Sequence, residues 1–198
     1  DLARLGISRR IEIGRLVRRL EELGLDRNTV ILFTSDNGFF LGEHGLADKW
    51  FMHEESIRTP LIIVDPRQPA RLRGRTVNAM TLNVDLAPTL IEMAGLAMPR
   101  VMQGRSLVPW LRGRRPVDWR TEFFYEHHFG PNIIPPSEGL RTGQYAYWRW
   151  LPPNQEIEEM YDLKRDPWQL RNLATEPSSR NILKTMRIAL ERRREEAR

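Results

Sequence analysis

The chain has 198 residues, enough for one large domain or two small ones with a real buried core. It has no cysteine, which excludes disulfides, thiolate metal sites and a cysteine nucleophile within these residues; no apolar run approaches the ~20 residues of a membrane helix. Of 31 basic residues, 28 are arginine, scattered over helices and loops rather than gathered on one face among aromatics, so neither nucleic acid nor a membrane is the expected partner of this +5 chain.

Asp1-Leu-Ala-Arg4 has no signal-like character, and Asp1 is not an initiator methionine, so a fragment or a processed product is expected. Residues 8–23 then predict an amphipathic helix, with Ile13, Leu16, Val17, Leu20 and Leu23 on one side and Gly24 as its C-cap. After a turn, Val30-Ile-Leu-Phe33 reads as a short strand buried on both faces, and Leu61-Ile-Ile-Val64 as a second. Helix, turn and buried strand predict an α/β sheet, whose ligands bind beyond the carboxyl ends of strands. Gln68 to Arg75 reads as an exposed loop. Asp85 is placed to cap a helix through Leu86, Leu90 and Met93, ended by Gly95, and a short helical turn fits between Gly104 and Gly113.

The composition shifts near Pro116. Thr121 to Glu126, Gly139 to Thr142, Gln144 to Trp150 and Ile157 to Asp162 predict four short antiparallel strands, with a hairpin turning at Gly143 and a Pro-rich loop from Pro131 to Pro136. Such a sheet needs a cover. The helix predicted over Asn181 to Arg194 offers Ile182, Leu183, Met186, Ala189 and Leu190, and the terminal Glu191 to Arg198 reads as a solvated, fraying helix end.

Reactive side chains concentrate in Thr34-Ser-Asp-Asn-Gly-Phe-Phe-Leu-Gly-Glu-His-Gly-Leu-Ala-Asp-Lys-Trp-Phe-Met-His53. Asp36-Asn-Gly38 alone is an ordinary turn signal. At a strand end, however, its adjacent carboxylate and amide oxygens suit a hard cation such as Ca²⁺. Lys49 follows across a glycine-rich loop that can return its ammonium toward the cation, and a cation beside a lysine receives a tetrahedral oxyanion. Lys49 also stands out as one of three lysines, with Lys164 and Lys184.

Thr34-Ser-Asp-Asn-Gly38, Leu41-Gly-Glu-His-Gly45, Asp48-Lys49 and Glu54-Glu-Ser-Ile-Arg-Thr-Pro-Leu-Ile-Ile63 together resemble the type I sulfatases of the alkaline-phosphatase superfamily. Val84-Asp-Leu-Ala-Pro-Thr-Leu90, Met102-Gln-Gly-Arg-Ser-Leu107, Gly139-Leu-Arg-Thr142 and Met160-Tyr-Asp-Leu-Lys-Arg-Asp-Pro-Trp168 continue the likeness in the family's order. Within it the chain looks most like carbohydrate sulfatases such as N-acetylglucosamine-6-sulfatases. The resemblance implies an alkaline-phosphatase-like α/β sheet domain, represented here by its C-terminal part over 1–117, and a C-terminal subdomain over 118–198. It implies Asp36 and Asn37 as one pair of Ca²⁺ ligands and Lys49 as a catalytic contact to sulfate.

The family's other acidic ligand pair, a catalytic histidine and the formylglycine nucleophile of a Cys/Ser-x-Pro-x-Arg motif have no counterpart here. Thr175-Glu-Pro-Ser-Ser-Arg180 only superficially resembles that motif. Arg9-Arg-Ile-Glu12 also departs from the family, whose members often carry acidic residues there. The implied activity is therefore hydrolysis of a sulfated carbohydrate by a protein whose missing N-terminal half, in cis or in trans, brings the nucleophile. The alternatives are an inactive binding or scaffold module and a phosphatase or phosphonate hydrolase of the same superfamily. A family member with this activity is periplasmic or secreted; the chain itself does not specify a compartment.

The remaining side chains carry weaker expectations. His53, four residues after Lys49, shares a face with it if that segment is helical, and reads as a substrate contact. His127 and His128, read as following a strand, are further substrate contacts. His44 is expected to bond the loop backbone, Arg58 and Arg141 to form ion pairs, and Trp148 and Trp150 to pack in the sheet.

Overall fold

The computed structural model describes residues 2–128, 134–151 and 157–197, with side chains from residue 12 onward. The first half of the predicted Pro-rich loop and the departure at Arg9-Arg-Ile11 lie outside the described residues or side chains. Helix α1 runs Leu2–Glu22. Gly24 ends it at φ +66°, with Gly24 N–H bonding Glu21 C=O and Leu25 N–H bonding Leu20 C=O, the paired closure that frees a helix end of unmet carbonyls. Its apolar stripe is not covered: Leu16 and Leu23 are exposed.

Strand β1 (Ile31–Thr34) pairs antiparallel with β4 (Leu61–Val64), in a register that sets Phe33 opposite Ile62 and Ile31 opposite Val64. Both strands form, β4 where expected and β1 one residue later than Val30–Phe33, but they are not buried on both faces. Phe33, Ile62 and Val64 open one face of the pair to solvent, because the described residues supply no layer to cover it. Between these strands, β2 (Phe40–Leu41) and β3 (Ala47–Asp48) make a small hairpin, followed by the single-turn helix α2 (Glu54–Ile57). Within the predicted exposed loop from Gln68 to Arg75, Ala70–Leu72 forms a 3-10 turn.

Helix α3 spans Leu86–Met93 and α4 Val108–Leu111. Asp85 stands before α3 as expected, yet its carboxylate does not cap that helix. Fully buried, it receives two bonds from the Arg120 guanidinium and the N–H groups of Leu82 and Arg105 at 2.9 and 2.8 Å. A guanidinium fork and two amides satisfy a buried carboxylate more completely than one free helix amide. Thr89 continues the junction, donating to Asp85 C=O and accepting from Leu107 N–H.

The C-terminal region is the predicted four-stranded antiparallel sheet, ordered β5 (Glu122–His127), β6 (Ser137–Thr142), β7 (Tyr145–Trp150) and β8 (Ile157–Asp162). Strand alternation gives it two apolar faces. Leu140, Tyr147 and Met160 pack against Leu183, Met186 and Leu190 of helix α5 (Arg180–Glu196). On the other face Trp148, Ala146 and Tyr161 pack on Met52, with Tyr125, Trp150 and Ile57 around them. Gly139 is required there, since a Cβ would collide with Met52 Sδ and the backbone of Tyr147. The end of α5 is more anchored than a solvated helix end: Arg192 and Arg193 reach Glu122, and Arg194 reaches the buried Glu138.

Candidate active-site segment

Asp36 and Asn37 follow the carboxyl end of β1. The Asp36 carboxylate is exposed and accepts no hydrogen bond among the described residues. Asn37 donates through Nδ2 to Gly38 C=O at 2.6 Å, and Ser35 Oγ donates to Asn37 C=O at 3.0 Å, which fixes the turn and leaves the amide oxygen of Asn37 for another partner. Gly38 N–H then bonds Ser56 C=O at 2.7 Å, and a Cβ at Gly38 would overlap the Glu55 carbonyl, so only glycine lets this turn lie against α2. Two oxygen donors without protein partners fit a hard cation, but only as part of a shell of six to eight. Among the described residues no cluster of three or more acidic or histidine side chains would hold a metal.

The hairpin returns the chain to this turn. Gly42 at φ +121° and Gly45 at φ +70° reverse it, and Phe40 pairs with Asp48. Lys49 is thereby brought back beside the segment that leaves Asp36-Asn37. Its neighbours Asp48 and Trp50 take φ +74° and +82°, left-handed values unusual for residues with a Cβ, and the Lys49 ammonium lies 5.9 Å from the centre of the Trp50 ring.

His53 does not share a helix face with Lys49, because α2 begins only at Glu54 and the preceding residues turn irregularly. It is 5% exposed, ringed by His44 at 4.3 Å, Trp148 at 4.8 Å and Phe40 at 5.7 Å, and its Nδ1 has no partner. Burial, and then the neighbouring His44, push its pKa down to about 4 against a weaker opposing pull from Glu159. His44 stacks rather than bonding the loop backbone, with Nε2 3.6 Å from Glu55 Oε2.

The two remaining histidines separate. His127 is the last residue of β5 rather than a loop residue, buried on the sheet face that carries Tyr125 and turns toward Met52. Its Nε2 and the Oγ of Ser137, directly opposite in register, both lack partners. His128 is exposed on the other side, 3.5 Å from Glu126, at the mouth of a cavity of about 270 Å³ lined by Phe124, Glu138, Arg149 and Arg194. Arg141 makes the expected ion pair, both nitrogens on Glu54 at 3.0 and 3.2 Å. Arg58 is exposed and makes no ion pair among the described residues. Trp148 is fully buried in the sheet and Trp150 packs beside it, as expected. Sequence reasoning missed Tyr125 and Gln169, which grip the segment after Lys49 from 75 and 115 residues away along the chain. No local pattern marks either.

Residues 42–196 match the family described as N-sulphoglucosamine sulphohydrolase, C-terminal. The chain is a member of the sulfatase family. It is 43% identical over 165 residues to an N-acetylglucosamine-6-O-sulfatase of Bacteroides thetaiotaomicron, covering 81% of this chain and 29% of that protein. A solved sulfatase-type structure described as bound to its substrate D-glucosamine-2-N,6-O-disulfate superposes with a TM-score of 0.85 at 38% identity, over 92% of this chain and 37% of that one. The phosphonate monoester hydrolase of Agrobacterium radiobacter superposes with a TM-score of 0.82 at 27% identity, over 94% and 39%. The fold is thus the α/β fold of alkaline-phosphatase-like sulfatases, with its small antiparallel sheet and terminal helix. The chain spans about a third of the length of these sulfatase relatives.

Proposed function

We propose that this sulfatase chain forms the C-terminal part of a sulfuric ester hydrolase acting on a sulfated carbohydrate. Residues 1–117 contribute to the catalytic α/β domain and 118–198 form its C-terminal subdomain. The observation that carries this reading is the β2–β3 hairpin, which sets Asp48 opposite Phe40 and so brings Lys49 back beside the segment leaving Asp36 and Asn37, whose side-chain oxygens accept no hydrogen bond among the described residues. The substrates named for the two relatives above, both sulfated at glucosamine, support the carbohydrate class.

Asp36 and Asn37 would hold part of the shell of a Ca²⁺ ion, which when bound would polarise the sulfate. The Lys49 ammonium offsets negative charge on the sulfate and on the departing oxygen as the S–O bond breaks. On this reading the further ligands and the nucleophile would come from an N-terminal half. The same half would cover the open apolar face of β1 and β4. The 198 residues alone then hydrolyse no ester and bind Ca²⁺ weakly.

The decisive experiment reads the coding frame upstream of Asp1 and assays the extended protein for sulfate release from glucosamine 6-sulfate. A Cys/Ser-x-Pro-x-Arg motif and activity are expected, with Lys49→Ala lowering kcat by about 10²–10³-fold. Undiminished turnover in that variant removes Lys49 from the chemistry. Tight Ca²⁺ binding by the 198-residue chain in calorimetry contradicts the divided site. The likeness to a phosphonate monoester hydrolase favours a second reading, hydrolysis of a phosphonate ester at the same residues; preference for that substrate over the sulfate ester would decide for it.

A further inference from the structure

The five residues after Lys49 are gripped by the C-terminal sheet and the turn that follows it, with Phe40 and His44 of the hairpin packed on Phe51 and His53. Trp50 C=O accepts the Tyr125 hydroxyl at 3.2 Å. Phe51 meets the Trp150 ring edge-on at 5.4 Å, and Met52 is buried under Gly139 and Trp148. Glu54 closes the set twice: its N–H donates to Gln169 Oε1 at 2.8 Å, and its carboxylate takes both prongs of Arg141. Gln169 is itself buried and left-handed, at φ +52°. On the other side of Lys49, Asp48 is pinned by its pairing with Phe40.

Lys49 therefore sits between two fixed points, flanked on each side by a residue in a left-handed conformation that neither Asp48 nor Trp50 favours. Such backbone persists only where its surroundings over-determine it. Released from the sheet, Trp50 would return to an ordinary conformation and turn both its ring and the lysine before it.

We propose that Tyr125, Gln169 and Arg141 are positioning residues for Lys49: the C-terminal sheet holds Trp50 in the left-handed backbone beside Lys49 that aims the ammonium. This rests on the reading of Lys49 as the sulfate contact only for its bearing on catalysis; the positioning itself can be measured without any reaction.

The chain's three lysines make that measurement clean. Reductive methylation with ¹³C-formaldehyde gives an NMR signal each for Lys49, Lys164, Lys184 and the α-amine of the N-terminus, and Lys49→Arg assigns the first. The Trp50 ring should displace the Lys49 signal from those of the other two lysines. In Tyr125→Phe, which keeps the ring and loses only the donor, this displacement should fall away while the Lys164 and Lys184 signals and the circular dichroism stay unchanged. Gln169→Gly, which tolerates the left-handed backbone and removes the acceptor, should act in the same direction if Tyr125→Phe unfolds. A Lys49 signal that stays displaced in whichever variants fold overturns the proposal, as does loss of displacement that spreads equally to all three lysines. In the extended enzyme Tyr125→Phe should lower kcat and leave KM near its original value. If Lys49→Ala proves harmless there while the NMR displacement still depends on Tyr125, the catalytic reading fails and the positioning stands.

Discussion

The regions on either side of residue 117 differ in make-up, the first mostly helix and loop and the second built on a four-stranded sheet, and they stand in opposite relations to solvent. In the C-terminal region each face of the four-stranded sheet has its cover, α5 on one and the segment after Lys49 on the other, so Leu140, Tyr147, Trp148 and Met160 are all fully buried. In the earlier region the β1–β4 pair keeps a face open, and Leu16, Phe33, Ile62 and Val64 stand in solvent. The first region is held at its junction by charge instead, through Asp85 and Arg120. Burial of apolar area stabilises a region only when a second layer is present to exclude water. The difference is between a sheet covered on both faces, one of them by residues of the earlier region, and a strand pair that the described residues leave open on one face.

The strongest way to test the charged junction is Asp85→Ala. It leaves Arg120 nearly buried without a counter-charge and two amides without an acceptor, and should cost about 3–5 kcal/mol in urea unfolding. A loss near zero would mean that the earlier region is held by something else. For the completed core, Leu190→Ala at a fully buried position between α5 and the sheet should cost about 2–5 kcal/mol.

The contact between the regions is open to pH. His53 has its pKa near 4 in the folded chain against 6.5 as a free group. Above pH 6.5 both states are neutral and the group contributes nothing. As pH falls from 6.5 toward 4 the unfolded chain takes up the proton and the folded one does not, so stability falls by about 3 kcal/mol across that window. Urea midpoints at pH 7.5 and 4.5 should therefore draw together in His53→Phe, relative to the parent; an unchanged difference would show that His53 is not the group responsible.

The smallest effect sharpens the comparison most. Leu16→Ala, on the uncovered stripe of α1, should shift stability by under about 0.5 kcal/mol in the 198-residue chain, although it removes the same atoms as Leu190→Ala. In a protein extended upstream the cost should rise toward that of a buried leucine, and a cost that stays small would leave the apolar face without its proposed cover.

Much of the fold was legible because its signals are local. The turn at Gly24, the four C-terminal strands and the apolar side of α5 follow from spacing and turn residues alone. Alternation places the strand at Thr121 to Glu126, one residue early, and so leaves His127 in a loop; its burial comes from the register with Ser137, and period-two alternation cannot fix a strand's last residue. Val30 to Phe33 and Leu61 to Val64 predict cover on both faces because an apolar run reports what a strand would bury, not what is present to bury it. Asp85 was read as a helix cap because its position before Leu86 is visible in the sequence and Arg120, 35 residues on, is not.

The sequence by itself determined the chemical inventory: a carboxylate and an amide at a strand end, a rare lysine beyond a glycine loop, and enough ordered motifs to name the family. Tertiary structure alone decided how Lys49 is held and where the histidines go. It buries His53 among rings, turns His127 and His128 to opposite sides of one sheet, and sets Asp48 and Trp50 in left-handed backbone under the grip of Tyr125 and Gln169. The grip on the segment after Lys49 comes from partners 75 and 115 residues away, and a conformation that disagrees with local preference exists only where distant contacts outweigh it.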